Sequence, residues 1–515
     1  MTGEIPAQGA GSLVRFRLIA RSAATGTWPR EGDGTRYGGT VVADPSASKT
    51  ALPRLQWFLP DDVWEQALAA TRLQGNDGTP AVMAFGGTVI DNVTIRIKGH
   101  QARNKDKKKW KVMLPAGHTW NADGLLRHPV DQFDLLPAST DKSFSREILV
   151  SDMQQLSGGL WQQVFPLRLE RNNEFFGLYM YGESPEGDWR DLNGFSDQTY
   201  VWKAEILSKL QRRDSDLEPK EFRQHYERLS MRWLDDNDQL LRDMMKTVSK
   251  LSGEKLIEWA YRHVDIPQVV EALATMRIVQ HPEWQHKNYL VAYDAADERW
   301  RLIPIDFDLA FGKRWHQPCG ASCDDVVART SLGYPGQNKL AAILLDQQPF
   351  RSMVDRRTRE LSEVYLAEGR LEQRMGELLT LMGPDSVLDR RKWFVAGAKQ
   401  TMKQAQQIII ERFLPRKRSF YIGERSLLPT PQPKQPKIDV VEVTKNEKGR
   451  IISFRLVNRE SMAIDVSNRT IEQVGAILPA GVVLPAEGGA TFVFERKPLS
   501  SGAVTELTVQ VRRPE

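Results

Sequence analysis

The sequence predicts an α+β protein with a strand-rich first half, a helical second half and a small β domain at its C-terminus. Short runs with period-two hydrophobic alternation dominate residues 81–181. Amphipathic segments of helical length dominate the chain after about residue 215. The run PTPQPKQP at 429–436 predicts a proline-rich linker, and short strands spaced by about 8–12 residues after it predict a β-sandwich over 437–515.

The composition is that of an ordinary globular protein with several domains. The 515 residues are 41% hydrophobic and 27% charged, and the net charge is +5 from 71 basic and 66 acidic residues. Because this excess is small for the length, we expect no nucleic-acid partner. No apolar run reaches the ~18 residues of a membrane helix, so we expect no membrane span. The N-terminus lacks the layout of a signal peptide, and the compartment stays unknown.

The first 181 residues contain mostly predicted strands. Residues 1–50, rich in Gly, Thr, Ser and Ala, contain the strand-like runs VRFRLIA and TVVA and predict an extended N-terminal segment or a small edge ribbon. Gly86-Gly87 and Asn172-Asn173 predict hairpin turns. Arg146–Leu156 has helical spacing, with Glu147 in its first turn. The predicted strands are 55–59, 81–85, 93–98, 109–114, 133–137, 164–171 and 175–181.

In the helical half of the chain, a predicted helix is followed by a polar loop and then by a predicted hairpin. The predicted helices are 220–251, 254–262, 267–280, 337–345, 350–368, 371–381 and 388–413. The helix 267–280 leads directly into His281-Pro282-Glu283, and Asn288 opens a strand pair that turns at 294–297. Two polar clusters, 281–288 and 306–308, therefore flank an apolar strand pair in the sequence.

The second strand is followed by Asp306-Phe307-Asp308. A carboxylate among apolar residues is costly unless something compensates it. Because side chains alternate along a strand, we expect Asp306 and Asp308 to lie on one face. Two like charges on a buried face favour a cation, and oxygen ligands suit Mg²⁺ or Mn²⁺. The alternative is a strand end with two solvated acids.

The spacing of these groups matches a protein-kinase catalytic loop. That loop has the pattern H-R-D-L-x-x-x-N, in which the acid orients the attacking hydroxyl and the asparagine binds metal. His281, Glu283 and Asn288 have the same offsets, and Asp306 stands where the D-F-G aspartate would hold metal. The sequence departs from the pattern at 283, where Glu replaces Asp.

Residues ~52–420 resemble the spore coat protein H (CotH) kinase-like family. The stretches VFPLRLERNNEFFGLYMYGES, HPEWQHKNYLVAYD and RWRLIPIDFDLAFG carry the resemblance most clearly. It implies an atypical two-lobed kinase fold over 51–428, with an N-lobe over about 51–181 and a C-lobe over about 182–428. It also implies that ATP and a divalent metal are used to phosphorylate Ser or Thr of a protein substrate. Many members of this family are secreted or envelope-associated, and GAILPAGVVLPAEGGATFVF in the tail resembles a lamin-tail-like domain.

The resemblance also implies roles for individual residues. Asp306 would be the main metal ligand and Asn288 the second, with Asp308 beside them. Glu283 occupies the position of the catalytic acid. The candidates for nucleotide contact are Lys98, Lys108, Lys111, Glu147 and Glu183. Glu147 could pair with a strand lysine or supply a favourable charge at a helix N-terminus, and Glu183 could bind nucleotide or be structural.

Two further functions stay open beside the protein kinase. Because Glu283 could present the acceptor differently, the same ATP site could drive AMP transfer or glutamylation. The same substitution could instead mark a catalytically degenerate structural or binding protein. Cys319 and Cys323 could be reduced thiols or a local disulfide, and a zinc site with His316 would need further ligands.

Overall fold

The computed structural model describes most of the chain. The described residues are all except 1–3, 22–24, 48, 71–77, 100, 123, 206–207, 230–237, 314–325, 327–337, 394–399, 424–437, 448, 450, 460–463, 467–469, 472, 474–475, 479–482, 485–488, 499–504 and 513–515. The architecture mixes helices and strands, as predicted for the α+β class. Cys319, Cys323, His316 and the linker 429–436 lie outside the described residues.

The N-terminal segment forms two short antiparallel ribbons. Its strands are β1 (Leu13–Phe16), β2 (Leu18–Arg21), β3 (Thr25–Trp28) and β4 (Gly38–Val41). β1 pairs with β4, and β2 pairs with β3. Of the two forms that the sequence predicted, an extended segment or a small edge ribbon, the ribbon is the one observed, and it occurs twice.

The strand-rich region closes into a barrel in the order β10-β11-β9-β8-β7-β6-β5. Its elements are β5 (Arg54–Phe58), α1 (Asp61–Ala70), β6 (Thr79–Phe85), β7 (Thr88–Lys98), β8 (Lys109–Met113), β9 (Gln132–Leu136), α2 (Arg146–Ser157), β10 (Val164–Arg171) and β11 (Glu174–Glu183). The parallel pair β10–β5 closes the barrel. Aromatic side chains, including Trp57, Trp110 and Phe133, fill its core.

Both predicted barrel hairpins are present. β6 and β7 meet at Gly86-Gly87, and β10 and β11 meet at Asn172-Asn173. All four turn residues have positive φ. Glycine and asparagine tolerate this conformation best, which is why these dipeptides predicted the turns.

A second sheet follows the barrel, in the order β13-β12-β14-β15. The elements of this region are α3 (Asp188–Leu192), β12 (Thr199–Ala204), α4 (Pro219–His225), β13 (Tyr226–Arg228), α5 (Gln239–Val248), α6 (Gly253–His263), α7 (Ile266–Val279), β14 (Tyr289–Asp294) and β15 (Arg299–Pro304). The predicted continuous helix 220–251 is wrong. Tyr226 leaves it to pair with Ala204 at the edge of β12, and its ring is buried. Sheet pairing and burial therefore override the helical pattern here.

α7 is buried over most of its surface and packs against α9, α2 and β15. Five more helices follow β15 in the described part of the chain. They are α8 (Lys339–Asp346), α9 (Gln348–Tyr365), α10 (Arg370–Lys392), α11 (Met402–Ile408) and α12 (Leu414–Tyr421), with a π-helical turn at 409–413. α10 continues through Pro384, where the sequence predicted two helices. In the described part of the chain, no helix combines the length and apolarity needed to cross a bilayer.

The C-terminal region is built from strands, as predicted. A four-stranded sheet has the order β16-β17-β22-β23, and two pairs, β18–β21 and β19–β20, accompany it. The strands are β16 (Ile438–Lys445), β17 (Ile451–Asn458), β18 (Ile464–Asp465), β19 (Thr470–Ile471), β20 (Ala476–Ile477), β21 (Val483–Leu484), β22 (Gly489–Pro498) and β23 (Thr505–Arg512). The sandwich arrangement and the lamin-tail-like assignment stay predictions.

Candidate active site

A cavity of about 310 Å³ lies between the barrel, the start of α2 and the open end of the β14–β15 hairpin. It brings together seven of the nine predicted site residues, which come from distant parts of the chain. These are Lys98, Glu147, Glu183, Glu283, Asn288, Asp306 and Asp308. Lys109, Lys203 and Lys287 also line this cavity.

The hairpin end positions the amide and the first acid. Asn288 immediately precedes β14, and Ile305 N–H donates to its carbonyl oxygen at 2.9 Å. Asn288 and Asp306 both have positive φ, 59° and 64°. Asn and Asp adopt this left-handed conformation more readily than most residues. Both side chains can therefore be presented at the same end of the hairpin.

The expectation that Asp306 and Asp308 share one face of a strand is wrong. β15 ends at Pro304, and the acids lie in the turn that follows it. The positive φ of Asp306 takes the chain out of the extended conformation, so strand alternation does not apply. A turn, rather than a pleated strand, brings both carboxylates to the cavity.

Glu283 is held at the cavity by its own loop. Asn288 Nδ2 donates to Glu283 Oε2 at 2.9 Å, and Lys287 Nζ lies 2.8 Å from Glu283 Oε1. The Glu283 side chain keeps 23% exposure. Its carboxylate is thus oriented and still reachable from the cavity.

Two consecutive residues of α2 bind the backbone of the acidic turn. Glu147 Oε1 accepts a hydrogen bond from Phe307 N–H at 2.9 Å, and Arg146 Nε donates to Ala310 O at 2.8 Å. Arg146 is fully buried and also pairs with Asp141. Glu147 therefore lies beside the metal-candidate turn, which the sequence did not predict.

The site concentrates buried negative charge. Burial, with Asp306 and Asp308 nearby, raises the pKa of Glu147 well above its ordinary value. Burial and the neighbouring Asp306 raise the pKa of Asp308 to about 7. Burial alone would raise the pKa of Asp306, but Lys109, together with His281, Lys287 and Lys203, outweighs it and the pKa lies below the ordinary value. These crowded carboxylates favour a cation at this place.

The predicted lysines have different surroundings. Lys98 Nζ pairs with Asp134 at 2.8 Å beside the cavity. Lys111 is buried against Glu186 at 2.9 Å, and Lys108 Nζ donates to Arg103 O at 2.7 Å. Neither Lys108 nor Lys111 is among the residues that line the cavity.

Lys109 is the cation that sequence reasoning missed. Burial lowers its pKa, but the surrounding carboxylates, Asp306 and Asp134 first among them, together outweigh burial and the pKa is raised. β8 pairs with β7 and places Lys109 directly opposite Lys98. Both lysines line the cavity. The alternation around Trp110 separated Lys109 and Lys111 from the barrel core, but it gave no means of choosing between them.

Glu183 is saturated by protein donors. Its Oε1 accepts from Arg127 Nε at 2.9 Å and contacts His128 Nε2 at 2.6 Å. Its Oε2 accepts from Arg127 Nη2 at 2.7 Å and from Gln163 N–H at 2.8 Å. This arrangement favours the structural alternative for Glu183, since a carboxylate has about four acceptor positions.

The donor chemistry fits a metal only in part. Among the described residues, no group of three or more His, Cys, Asp or Glu side chains is arranged to hold a metal ion. Asp306, Asp308 and Asn288 supply oxygen donors, the type that Mg²⁺ prefers. Mg²⁺ usually takes its remaining ligands from water and substrate phosphates. The residues therefore fit a metal shared with a nucleotide rather than a closed protein site.

An acid–asparagine loop, an acidic turn and a lysine-bearing strand around one cavity define a kinase-like class of protein. The sequence model of the family described as CotH kinase protein matches residues 95–420. This match covers more than half of the chain, which therefore belongs to the CotH kinase family. The resemblance identified from the sequence is confirmed. A search of curated proteins found no match.

Proposed function

We propose that this protein is an atypical kinase that transfers the γ-phosphoryl group of ATP to a Ser or Thr hydroxyl of a protein. The observation that supports this most is the cavity in which Glu147, Asp306 and Asp308 face Lys109. Phosphoryl transfer depends mainly on positioning and charge neutralisation, and these groups offer both. The volume of about 310 Å³ lies within the range of ligand pockets.

Asp306, Asp308 and Asn288 would hold Mg²⁺ or Mn²⁺. When bound, such an ion would neutralise the negative charge that develops on the phosphates during transfer. Lys109, already surrounded by carboxylates, would place its ammonium against a phosphate. The apolar lining of the cavity, Leu136, Met180 and Leu290, would take the nucleobase.

Glu283 would orient the acceptor hydroxyl and receive its proton. The hydroxyl oxygen forms a bond to the γ-phosphorus, the bond from that phosphorus to the bridging oxygen breaks, and ADP leaves. The contacts from Asn288 and Lys287 fix the carboxylate for this role. Glutamate is one methylene longer than aspartate, so the acceptor would lie correspondingly further from the loop.

The test compares Asp306→Asn with Asp297→Asn after incubation of the full chain with ATP and Mn²⁺. Asp297 lies at the opposite end of the same hairpin and pairs with Arg301, so it is a matched control. Intact mass spectrometry measures transfer to the chain or to an added protein substrate. We expect Asp306→Asn to lose about a hundred-fold or more in rate, since charge neutralisation at the phosphates is lost.

Equal rates for the parent and Asp306→Asn would overturn the proposal. The added mass also distinguishes the alternatives left open by Glu283, because AMP and glutamate differ in mass from a phosphoryl group. A chain whose melting temperature does not rise with any nucleotide and metal would instead be a degenerate binding protein.

A further inference from the structure

The β2–β3 ribbon at the N-terminus presents apolar side chains to solvent. Leu18 is 59% exposed, Ile19 is 54% exposed and Trp28 is 51% exposed. Large apolar side chains grouped in this way indicate an interaction surface. The ribbon is far removed in sequence from every residue proposed for the active site.

The ribbon is apolar on both of its faces. Leu18 pairs with Trp28, so these two side chains share one face. Ile19 follows Leu18 directly and therefore points to the other face. A flat protein surface could cover only one of these faces, whereas a lipid interface can surround both.

Trp28 is held in place while half of it stays exposed. Its ring stacks on Phe16 with centroids 5.8 Å apart. On Gly38 a Cβ atom would clash with the Trp28 ring, so the ring rests on a residue without a side chain. Tryptophan, like tyrosine, is enriched where proteins meet the membrane–water interface.

The charged residues of the ribbon and its immediate flanks are arginines, and the first acids after them are Glu31 and Asp33, of which Asp33 contacts His118. Residues 13–30 contain four arginines, at 15, 17, 21 and 30, and no Asp or Glu. Arg15 pairs with Asp91 on the barrel, while Arg17, Arg21 and Arg30 are exposed. Exposed arginines beside apolar side chains are complementary to an anionic lipid surface.

We propose that the β2–β3 ribbon docks the protein on anionic lipid membranes by shallow insertion of Leu18, Ile19 and Trp28. The ribbon is about 13 Å long, from four residues at ~3.3 Å each, which suits an insertion depth of ~5–10 Å. Its two strands have no further strand neighbour among the described residues, so both edges carry open backbone groups. At the headgroup level these groups stay hydrated, which restricts the ribbon to shallow insertion.

The test is co-sedimentation of the full chain with vesicles of phosphatidylcholine alone or mixed equally with phosphatidylglycerol. We expect binding to the mixed vesicles, weakened by salt. Leu18→Ser/Ile19→Ser should lower the partition coefficient about ten-fold. Arg21→Gln/Arg30→Gln should lower it more than ten-fold, at about five-fold for each arginine.

Matched controls separate the ribbon from general surface effects. Leu192 and Val364 are 51% and 46% exposed elsewhere, so Leu192→Ser/Val364→Ser should bind like the parent. Unchanged melting curves would show that the variants are folded. Absence of binding to the mixed vesicles overturns the proposal, as does equal binding by the parent and Leu18→Ser/Ile19→Ser. A dimer seen by light scattering and lost in that variant would assign the ribbon to a second copy and also overturn it.

Discussion

A buried ion pair fastens α10 to the barrel, and its loss should destabilise the protein measurably. Lys107 Nζ lies 2.7 Å from Asp389 Oδ1 and also donates to Leu178 O at 2.6 Å. Leu178 N–H donates to the same Asp389 oxygen at 2.9 Å. The two charged side chains are only 3% and 7% exposed. Lys107→Met therefore leaves a carboxylate of α10 buried with one backbone donor.

We expect Lys107→Met to lower the free energy of unfolding by about 3–5 kcal/mol, the cost of removing one partner from a buried pair. The ammonium also lies 4.6 Å from the centroid of the Tyr179 ring, a contact that methionine would replace with weaker packing. Lys107→Met/Asp389→Leu should recover most of the loss, since it removes both buried charges.

The stability lost by Lys107→Met should increase as pH rises. Burial raises the pKa of Asp389 above 3.8, while Lys107 opposes this rise. Without Lys107 the folded pKa of Asp389 rises further. The folded variant then binds more protons than its unfolded chain, so its stability falls as pH rises from 3.8 through the folded pKa. The deficit relative to the parent should therefore be larger at about pH 8 than at about pH 5.

Chemical denaturation followed by tryptophan fluorescence at both pH values measures these differences. A loss of unfolding free energy below about 1 kcal/mol for Lys107→Met at the higher pH would refute the reasoning. Such a loss is no larger than the contribution of a solvent-exposed ion pair. A double variant less stable than the single variant would refute it equally, since it would show that burial does not penalise these charges.

Two further predictions concern the cavity. Lys109→Met should lower the phosphotransfer rate about a hundred-fold or more, while Lys108→Met, whose ammonium binds Arg103 O, should keep the rate within about two-fold; equal losses would contradict the assignment. Glu183→Gln should lower the melting temperature of the free protein, because it weakens contacts with Arg127 and His128, yet leave the rise caused by ATP and Mg²⁺ unchanged; a lost ATP shift would instead place Glu183 at the nucleotide.

Local chemistry explains which parts of the fold the sequence predicted. Gly86-Gly87 and Asn172-Asn173 fix their turns by backbone conformation, and both hairpins form. The helix prediction was wrong at Tyr226 because this residue pairs with the edge of β12, and a local sequence pattern does not reveal that pairing. Barrel closure through β10 and β5 joins strands more than a hundred residues apart, and no local pattern specifies that pairing.

The sequence predicted the acid–asparagine loop and the acidic turn of the site, but it did not predict which lysine faces them. The offsets among His281, Glu283 and Asn288 anticipated a cluster, and the structure brings Asp306 to the same cavity. Lys109 could not be chosen because a strand with lysines at alternate positions presents both on one face. Only the facing carboxylates distinguish it from Lys111, which has its own partner in Glu186.

The acidic turn is supported mainly through its backbone, which makes the proposed active-site test clean. Glu147 and Arg146 bind Phe307 N–H and Ala310 O, and neither contact uses the Asp306 side chain. Asp306→Asn should therefore remove one charge from a crowded cluster without removing the contacts that shape the turn. The pKa of Asp306 lies below its ordinary value, so its charge is stabilised in the fold, chiefly by Lys109, and Asp306→Asn should lower the stability of the free protein at neutral pH. A variant that is still fully folded at the assay temperature yet transfers no phosphate would assign the loss to chemistry rather than to folding.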